Sequence, residues 1–590
     1  MFGKIINING TKMVVENIKK EAQSNLVGYH VVFAEEARKI VGEITSLNES
    51  TIEINLVGEI RNEKFISGVM KNPAFNTTAR LIYKNEVEML LGSQNISGKK
   101  NLLIGHSGIY DNFLVSADIN DLFSGHFCVI GNTGSGKSCG VTRILQNIFY
   151  YNDEGIPENA HLVLFDVYGE YNQAFNNISK IPGLNFKKYT STIAEYSVDE
   201  LVKFPAYFLE LDDLALLLNA TEPAQLPIIE KALKLVYIFT SKDPAVTNYK
   251  NDIIAKSLLD ILASGKTSTQ IRDQIVAVLS QFNTETLNLD TIIAQPGYNR
   301  TLNQCMNIDA QGKMNSVSFV VDFLNQFTQI DLEKIQVTPD FIYTLDDLYY
   351  AFEFALISEG ILTSDVVYEK ANILKVRLHS IINSPYKEIF NVTSAIGRNE
   401  YITKFFQTKE GDNVQIVNMN FSGIDERFAK VLTKIYAKLF WGYSTTINPR
   451  GSFPIHLLIE EAHRYVQVDT DTEVLGYNIF DRITKEGRKY GVLLGFITQR
   501  PQELSKTALS QCSNFIVFRM YNPEDLAIIS SMNSNITEEV VSRLKTLLPG
   551  TALVFGTAFK IPLLVILDLP EPMPQSTSVI VEDTWYKNDI

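Results

Sequence analysis

The sequence predicts an α/β protein whose core is a parallel-rich sheet, with a small β-barrel before that sheet and an all-helical insertion within it. Residues 1–105 contain short segments of alternating apolar and polar residues, such as STIEINLVGEI, which is typical of the half-buried strands of a small β-barrel or sandwich. From about residue 121, near-continuous apolar runs such as HFCVI alternate with helical stretches, as expected for parallel strands buried on both faces. Residues 199–391 carry apolar residues at helical spacing, as in LPIIEKALKLVYIFTS.

These changes of pattern divide the chain into five segments. Its 590 residues are too many for one hydrophobic core, since a domain averages about 150 residues. We predict an N-terminal barrel for partner docking or assembly at 1–105 and two parts of the core at 106–198 and 392–568. The helical insertion is predicted at 199–391, and a C-terminal brace or tail at 569–590.

Composition and cysteine use indicate an ordinary globular protein of a reducing compartment. Hydrophobic residues make up 45% and charged residues 20%, which excludes disordered, collagen-like and coiled-coil classes. The four cysteines lie far apart and form no CxxC pair, so neither a disulfide framework nor a zinc ribbon is expected. The N-terminus has no apolar signal segment, and the best candidate span is broken by Lys560, Pro562 and Asp568. We therefore expect a cytoplasmic protein with no membrane partner.

The net charge of −14 argues against a protein coated in nucleic acid, because phosphate contacts require clustered Lys and Arg. It does not exclude a local basic channel inside an acidic exterior. Simple solubility is the plainer explanation of the charge.

The strongest single motif is GNTGSGKS at 131–138, which follows the apolar run FCVI and precedes a helical pattern. It matches G-x-x-x-x-G-K-[ST], in which backbone N–H groups and a helix N-terminus face phosphate oxygens. Lys137 is expected to neutralise the β- and γ-phosphates of ATP, and the Ser138 hydroxyl to bind Mg²⁺. The core is therefore predicted to be a P-loop NTPase of the RecA-like type. The predicted nucleotide-binding residues are Gly131, Asn132, Thr133, Gly134, Ser135, Gly136, Lys137, Ser138 and Cys139.

Two acidic residues end the apolar run of FPIHLLIEEAH. A carboxylate at a strand end can hold Mg²⁺, directly or through water, and the next carboxylate can polarise an attacking water. We assign Glu460 to the metal and Glu461 to the general base. The alternative is that both residues lie in the solvent-exposed first turn of a helix, where acidic side chains are also favourable.

Two further strand ends are predicted to meet at the same sheet edge. Gln499 ends the strand of YGVLLGFITQRP, where its amide can sense the γ-phosphate or orient water; an ordinary strand-end Gln is the alternative. Asp166 and Glu170 follow the strand of HLVLFDVYGEY and are candidates for indirect metal contacts or coupling to DNA. The alternative is that they cap a helix or form a turn.

Arg488 and Arg519 are the candidate arginine fingers. Arg488 precedes the Gln499 strand, and Arg519 ends the run FIVFRM. Either residue could stabilise charge on the phosphoryl group transferred in a neighbouring subunit, which requires an oligomer. The alternative for each is a surface arginine paired with a nearby acid.

These residues, in this order, resemble the HerA family of hexameric DNA-translocating ATPases, in the wider HerA/FtsK group and of bacterial type. The resemblance covers most of the chain, including DVYGEY, LLIEEAHRYV, KEGRKYGVLLGFITQRPQELSKTALSQCSNFIVFRM and LPGTALVFGTAFKIPLLVIL. The stretch from GRKYG to TQRP is far more specific than the P-loop, and with EEAH and FR it separates the chain from kinases and GTPases. One departure is that Val167 and Tyr168 stand where the family usually has Pro-His in DPHGEY.

The resemblance implies a homohexamer with ATP and Mg²⁺ between subunits and double-stranded DNA in a central pore. It also implies an effector partner, such as a NurA-like nuclease or a sirtuin-type NAD hydrolase, docked on the N-terminal barrel. One or two lysines or arginines per subunit would make such a pore strongly positive when repeated sixfold. The candidates are Lys180, Lys187, Lys188, Lys485, Arg488 and Lys489, although an ordinary surface role is the plainer reading of each.

Two functions therefore compete. The first is an ATP-driven translocase of double-stranded DNA that works with a nuclease or other effector in end processing or anti-phage defence. The second is a scaffold ATPase whose hexamer assembles and gates a toxic effector without moving DNA processively. The intact set of Lys137, Ser138, Glu460, Glu461 and Gln499 favours the first, and the acidic charge and the DVYGEY departure favour the second. A conjugative or secretion motor is a third, weaker hypothesis, because such motors usually act at a membrane.

Overall fold

The described part of the chain, seen in a computed structural model, forms two compact units. Unit 1 comprises 1–200, 402–468 and 478–590, and unit 2 comprises 201–401 and 469–477. The residues that the structure describes are 2–18, 26–36, 38–92, 100–150, 155–192, 199–240, 244–314, 316–328, 342–360, 365–467, 471–532, 536, 538–576 and 581–585.

The strands and helices are numbered in chain order. The strands are β1 (Phe2–Asn9), β2 (Lys12–Asn17), β3 (His30–Ala34), β4 (Lys39–Leu47), β5 (Thr51–Arg61), β6 (Lys64–Ser67), β7 (Ala79–Leu81), β8 (Asn101–Ser107), β9 (Leu114–Asp118), β10 (His126–Ile130), β11 (Leu162–Asp166), β12 (Phe186–Thr190), β13 (Glu200–Leu201), β14 (Ile292–Gln295), β15 (Tyr298–Thr301), β16 (Ile416–Asn420), β17 (Ile455–Ile459), β18 (Val492–Thr498), β19 (Cys512–Val517), β20 (Thr551–Gly556) and β21 (Leu563–Ile566). The helices are α1 (Lys84–Leu91), α2 (Ile119–Phe123), α3 (Lys137–Tyr150), α4 (Leu211–Leu217), α5 (Leu226–Thr240), α6 (Pro244–Ala263), α7 (Ser268–Gln281), α8 (Leu302–Cys305), α9 (Val317–Asn325), α10 (Leu345–Gly360), α11 (Asp365–Ile382), α12 (Lys387–Phe390), α13 (Arg398–Phe405), α14 (Glu426–Thr446), α15 (Asp471–Leu475), α16 (Ile479–Tyr490), α17 (Lys506–Ser510), α18 (Pro523–Met532), α19 (Glu538–Leu544) and α20 (Val581–Trp585).

The N-terminal part of unit 1 is a seven-stranded sheet in the order β1-β2-β5-β4-β3-β7, with β6 paired to β5. Its ladders are antiparallel, as expected where short connections join consecutive strands. Alternate residues such as Met13, Val15, Ile52 and Ile54 are buried in its own core, which is the alternation that the sequence predicts. Closure of this sheet into a barrel stays a prediction.

The second sheet of unit 1 has twelve strands in the order β13-β12-β16-β11-β17-β18-β10-β19-β20-β21-β8-β9. The strands from β12 to β19 pair in parallel, and those from β19 to β9 pair antiparallel. The parallel-rich sheet predicted from the apolar runs is thus confirmed. Strand β8 begins at Asn101 and belongs to this sheet, so the predicted segment boundary at residue 105 lies inside a core strand.

The P-loop strand β10 lies in the middle of this sheet, between β18 and β19. All five of its residues are buried. The carboxyl ends of β11, β17, β18, β10 and β19 meet at one edge, because these strands run in the same direction. That edge gathers most of the predicted site residues.

Unit 2 is mainly helical, with α5 packed on α10 and α10 on α11. It also contains an antiparallel hairpin of β14 and β15, so the prediction of helices alone was wrong for this segment. The hairpin turns at Gly297, which has a φ of +84°, a conformation that glycine adopts without strain. The sequence IIAQPGYNRT is too short to show the period of a strand clearly. Among the described residues, no helix is long and apolar enough to cross a membrane.

The C-terminal segment 567–576 lies along α3. Gln146 on that helix donates to the Pro572 carbonyl (3.0 Å) and accepts from the Glu571 backbone N–H (2.9 Å). The Tyr150 hydroxyl donates to the Glu571 carbonyl (3.1 Å). The backbone N–H of Gln575 donates to the carbonyl of Glu170 at 2.6 Å. This part of the predicted brace is therefore fixed to the helix that follows the P-loop.

Candidate nucleotide site

The P-loop at 131–138 leaves the end of β10 as a tight turn that leads into α3. Backbone hydrogen bonds join Gly131 to Thr498 on one side (3.2 Å) and Asn132 to Arg519 on the other (3.1 Å). Gly134 and Gly136 have φ values of +72° and +93°, which only glycine adopts without strain. The loop therefore has the backbone that directs successive N–H groups inward as an anion cradle.

Lys137 is the first residue of α3, and its side chain is almost buried. Its ammonium nitrogen lies 3.7 Å from Glu461 Oε1. A buried lysine requires a negative partner, because removing a charge from water is costly. Without ligand, that partner is Glu461. A bound polyphosphate is the other anion that this ammonium can meet at the mouth of the cradle.

Glu460 is buried at the end of β17, with 2% of its surface exposed. Its Oε1 accepts a hydrogen bond from the Tyr171 hydroxyl (3.3 Å), and the nearby Ser138 side chain acts on the same hydroxyl, opposing the rise that burial causes in the pKa of Tyr171. Burial raises the pKa of Glu460 well above its usual range, and the charges of Asp166 and Glu170 add to that rise. Ser138 and Glu460, the two residues predicted to bind Mg²⁺, thus meet around one tyrosine hydroxyl.

Asp166, at the end of β11, is held by three hydrogen bonds. It accepts from the backbone N–H groups of Glu170 (3.1 Å) and Tyr171 (3.0 Å) and from the Asn418 amide (3.1 Å). Burial outweighs these contacts and raises the pKa of Asp166 to about 6. Asp166 therefore shapes the turn that carries Glu170 and Tyr171, consistent with the turn-forming alternative.

Glu461 has an unusual backbone for a residue that is not glycine, with φ +48° and ψ +42°. Such a left-handed conformation costs about 1–3 kcal/mol and persists only where its surroundings enforce it. The short 3-10 turn Ala462–Arg464 follows directly, and His463 Nδ1 lies 3.3 Å from Glu461 Oε2 and 3.0 Å from the Thr498 hydroxyl. The conformation turns the carboxylate toward Lys137 and the cradle.

Gln499 connects the cradle to Glu461. Its amide nitrogen lies 3.4 Å from both carboxylate oxygens of Glu461, and its carbonyl accepts from the Thr133 hydroxyl at 2.9 Å. Thr133 is exposed at the tip of the P-loop. The structure therefore brings Gln499, Glu461 and the P-loop into one hydrogen-bonded group, as the strand-end pattern predicts.

Two carboxylate oxygens without hydrogen-bond partners lie at this edge of the sheet, where Mg²⁺ is predicted to bind. Glu460 Oε2 and Glu170 Oε2 are buried and have no hydrogen-bond partner, and Mg²⁺ prefers such oxygen ligands or their bridging waters. Among the described residues, no group of three or more His, Cys, Asp or Glu side chains could hold a metal alone. The residues fit an ion that nucleotide phosphates help to hold.

The two candidate arginine fingers lie at opposite edges of the sheet. Arg519 follows β19 beside the cradle of its own chain, where its guanidinium lies 5.5 Å from the Tyr521 ring and its Nε is buried without a partner. Arg488 is exposed on α16, before β18 begins. The seven residues of β18 separate it from Gln499 by about 20 Å. Arg488 therefore lies away from the site of its own chain.

Tyr168, the departure in DVYGEY, forms a cluster with Arg464. The guanidinium donates to the Tyr168 hydroxyl (2.6 Å) and lies 3.4 Å from Glu426 Oε2. The backbone N–H of Arg464 donates to the Glu461 carbonyl at 2.8 Å. A tyrosine hydroxyl thus joins the 166–171 turn to the turn that bears Glu461.

The sequence analysis did not identify several residues that complete this site. Tyr171 contacts Glu460, His463 contacts Glu461, and Thr498 contacts His463, yet a lone Tyr, His or Thr carries no spacing signal. Asn418 was detectable, because it is a polar residue within the apolar strand NVQIVNMN and is fully buried. A buried amide requires partners, and here its nitrogen donates to Asp166 Oδ2 and to Asn172 Oδ1.

Two of the candidate pore lysines are paired within unit 1. Lys187 lies 3.3 Å from Glu200 and donates to the backbone carbonyls of Lys404 and Gln407, while Lys188 lies 3.1 Å from Asp199. The other candidates are exposed: Lys180, Lys485, Arg488 and Lys489.

Comparison with known proteins adds a family and several relatives. The family described as the central domain of the helicase HerA matches residues 103–439. The DNA double-strand break repair helicase HerA of Pyrococcus furiosus is 22% identical over 528 residues, covering 89% of this chain and 78% of the relative. A probable helicase of Methanocaldococcus jannaschii is 33% identical over 137 residues, which cover 23% of this chain and 26% of the relative.

Among solved structures, VirB4 of Thermoanaerobacter pseudethanolicus covers 80% of this chain and 96% of its own, with a TM-score of 0.44 and 13% identity. The plasmid coupling protein TrwB, in complex with an ATP analogue, covers 84% and 95%, with a TM-score of 0.45 and 10% identity.

Proposed function

The chain belongs to the HerA helicase family and is an ATPase, and from that premise we propose that it is a motor that uses ATP hydrolysis to move double-stranded DNA. The observation that carries the proposal is the group formed by Lys137, Glu461, Gln499 and Thr133 at the P-loop. A cradle that only bound nucleotide would not require a carboxylate and an amide beside the lysine.

In the proposed reaction the P-loop N–H groups and Lys137 bind the triphosphate, which releases Lys137 from Glu461. Glu461 then accepts a proton from the attacking water, and Gln499 holds that water in line with the γ-phosphate. His463 and Thr498 keep the Glu461 carboxylate oriented. Ser138 and Glu460 would hold Mg²⁺, which neutralises charge on the β- and γ-phosphate oxygens when bound.

We propose further that the working form is a homohexamer with DNA in its central pore. Arg488 supports an oligomer, because it lies about 20 Å from the site of its own chain and an arginine finger must reach the γ-phosphate. The exposed lysines of α16, Lys485 and Lys489, offer the positive charge that a pore needs for phosphate contacts. The Pyrococcus relative is named a DNA double-strand break repair helicase, which supports DNA as the substrate.

The alternative proposal is a scaffold ATPase that assembles and gates an effector, such as a NurA-like nuclease or a sirtuin-type NAD hydrolase, in anti-phage defence. Two observations favour it: the net charge of −14 and the pairing of Lys187 and Lys188 with acids of the same unit. Both reduce the positive charge available to DNA.

The ATPase rate with and without linear double-stranded DNA, at two salt concentrations, separates the two proposals. A motor that contacts phosphates through its pore should be stimulated several-fold by DNA, and the stimulation should fall as salt rises, because DNA binding releases counterions. A rate that is independent of DNA, or that appears only with a co-purified partner, supports the scaffold.

A further inference from the structure

The turn that follows β17 carries the proposed general base. Glu461 has a left-handed backbone with a φ of +48°, which persists only where the surroundings enforce it. Inside the turn, the Arg464 N–H donates to the Glu461 carbonyl (2.8 Å) and the Val466 N–H donates to the Ala462 carbonyl (2.9 Å). These two bonds move with the turn, so contacts with other segments must determine where the Glu461 carboxylate points.

Two side chains of the turn join it to the neighbouring strands. On the β18 side, His463 Nδ1 lies 3.0 Å from the hydroxyl of Thr498. On the other side, where β11 and then β16 follow in the sheet, the Arg464 guanidinium donates to the hydroxyl of Tyr168 (2.6 Å), two residues after β11. Its other terminal nitrogen lies 3.4 Å from Glu426 Oε2, in the first residue of α14, the helix after β16. One guanidinium therefore joins the segments that follow three adjacent strands.

Of these two partners of Arg464, the Tyr168 hydroxyl is the stronger anchor. Its hydrogen bond is short, and a bond from a charged donor is roughly twice as strong as a neutral one. The Glu426 side chain is 61% exposed and farther away, so water screens its attraction to the guanidinium. The turn that bears Tyr168 is fixed separately, because the Asp166 carboxylate accepts two of its backbone N–H groups. Loss of the hydroxyl should therefore release Arg464 and leave that turn intact.

We propose that Tyr168 and Arg464 are positioning residues of the ATPase site, which hold the turn after β17 so that the Glu461 carboxylate faces the phosphate cradle. The inference rests on the proposed function, because it assigns the residues that hold its general base. Tyr168 acts through Arg464, and Arg464 acts through the backbone of Glu461, so neither side chain contacts the nucleotide. Their loss should lower the rate of hydrolysis and leave binding of ATP unchanged.

The first experiment asks whether the two residues act in series. Steady-state kcat and KM for ATP are measured for the unchanged full chain, Tyr168→Phe, Arg464→Ala and the variant with both changes. Each single variant should lose about 10–100-fold in kcat, because a small misplacement of a catalytic group is costly. KM should stay unchanged, since the cradle and Lys137 are intact. The variant with both changes should lose no more than Arg464→Ala alone.

The second experiment places Tyr168→Phe in the Glu461→Gln background and measures the residual hydrolysis with protein in excess over ATP. Once the base is removed its orientation no longer matters, so the loss of the Tyr168 hydroxyl should cause no further decrease. A structural role alone would lower the rate equally in both backgrounds. Tyr207→Phe is the matched control, because it removes a hydroxyl that hydrogen-bonds the Ser394 carbonyl (2.9 Å) in unit 2; it should change neither kcat nor KM.

Three results would overturn the positioning role. The first is an unchanged kcat in Tyr168→Phe. The second is an equal loss of rate from Tyr168→Phe in the Glu461→Gln background, which would show that the hydroxyl acts independently of the base. The third is a higher KM with kcat unchanged, which would assign the hydroxyl to nucleotide binding. Hydrolysis by Glu461→Gln alone at the unchanged rate is a distinct failure: it would refute the base assigned in the proposed function, and the positioning role with it.

Discussion

Glu461→Gln separates binding of ATP from its hydrolysis, and the structure predicts that hydrolysis is lost while binding is not. The substitution keeps the size of the side chain and removes the carboxylate that lies 3.7 Å from the Lys137 ammonium. At an effective dielectric constant of about 20, two charges at that distance attract by about 4 kcal/mol. Desolvation offsets much of this attraction. Because Lys137 must leave this partner to reach phosphate, we expect ATP affinity to be retained or to increase.

Turnover should fall in the same variant, because an amide cannot accept the proton of the attacking water. Loss of a general base typically costs about 10²–10⁴-fold in rate, or about 2.7–5.4 kcal/mol of activation free energy. Equilibrium binding of a fluorescent ATP analogue and steady-state phosphate release measure the two effects. Glu524→Gln, an exposed acid at the start of α18, is the control and should change neither. Hydrolysis by Glu461→Gln at the unchanged rate, or a tenfold loss of ATP affinity, would refute the reasoning.

Three further predictions concern the assembly, the P-loop helix and the N-terminal sheet. Arg488→Ala should lower turnover without lowering ATP affinity, and mixing it with Lys137→Ala chains should restore activity if the finger acts between subunits; absence of rescue would contradict that role. Gly140→Ala should lower the free energy of unfolding by about 1–3 kcal/mol through overpacking, and with it the melting temperature, because the new Cβ would clash with the buried Phe518 ring. A higher melting temperature would show that helix propensity dominates. Burial opposes ionisation of Glu86, but hydrogen bonds from basic side chains outweigh it and lower its pKa to about 2; its contribution to stability should be complete above the usual pKa of 4.5 and be lost as the pH falls toward 2. Acid titration of unfolding in Glu86→Gln should lack that step, and an unchanged acid profile would count against it.

Local signals predicted the phosphate cradle and its neighbours. Gly134 and Gly136 adopt the positive φ values that their place in the motif requires, and the strand before them and the helix after them follow from short-range apolar patterns. Glu460, Glu461 and Gln499 were identifiable because each ends a buried run that had to be a strand. The carboxyl ends of parallel strands share one edge of the sheet, so convergence of these residues followed from the pattern alone.

Non-local contacts decided the remaining features. The contacts that hold the Glu461 side chain come from other segments: His463 Nδ1 lies 3.3 Å from its carboxylate and 3.0 Å from the hydroxyl of Thr498 on β18. The pairing of Lys187 with Glu200 depends on the order of strands in the sheet, because β12 lies next to β13. The residues adjacent to Lys187 in sequence do not predict that pairing.

The sequence by itself determined the class of core, the P-loop and the set of acids beside it, because each depends on residues within one strand, one turn or one helix. Only the tertiary structure decided how the strands are ordered and which charges neutralise one another. The physical reason is that charge pairing and burial depend on distances between segments far apart along the chain, which local propensity does not encode.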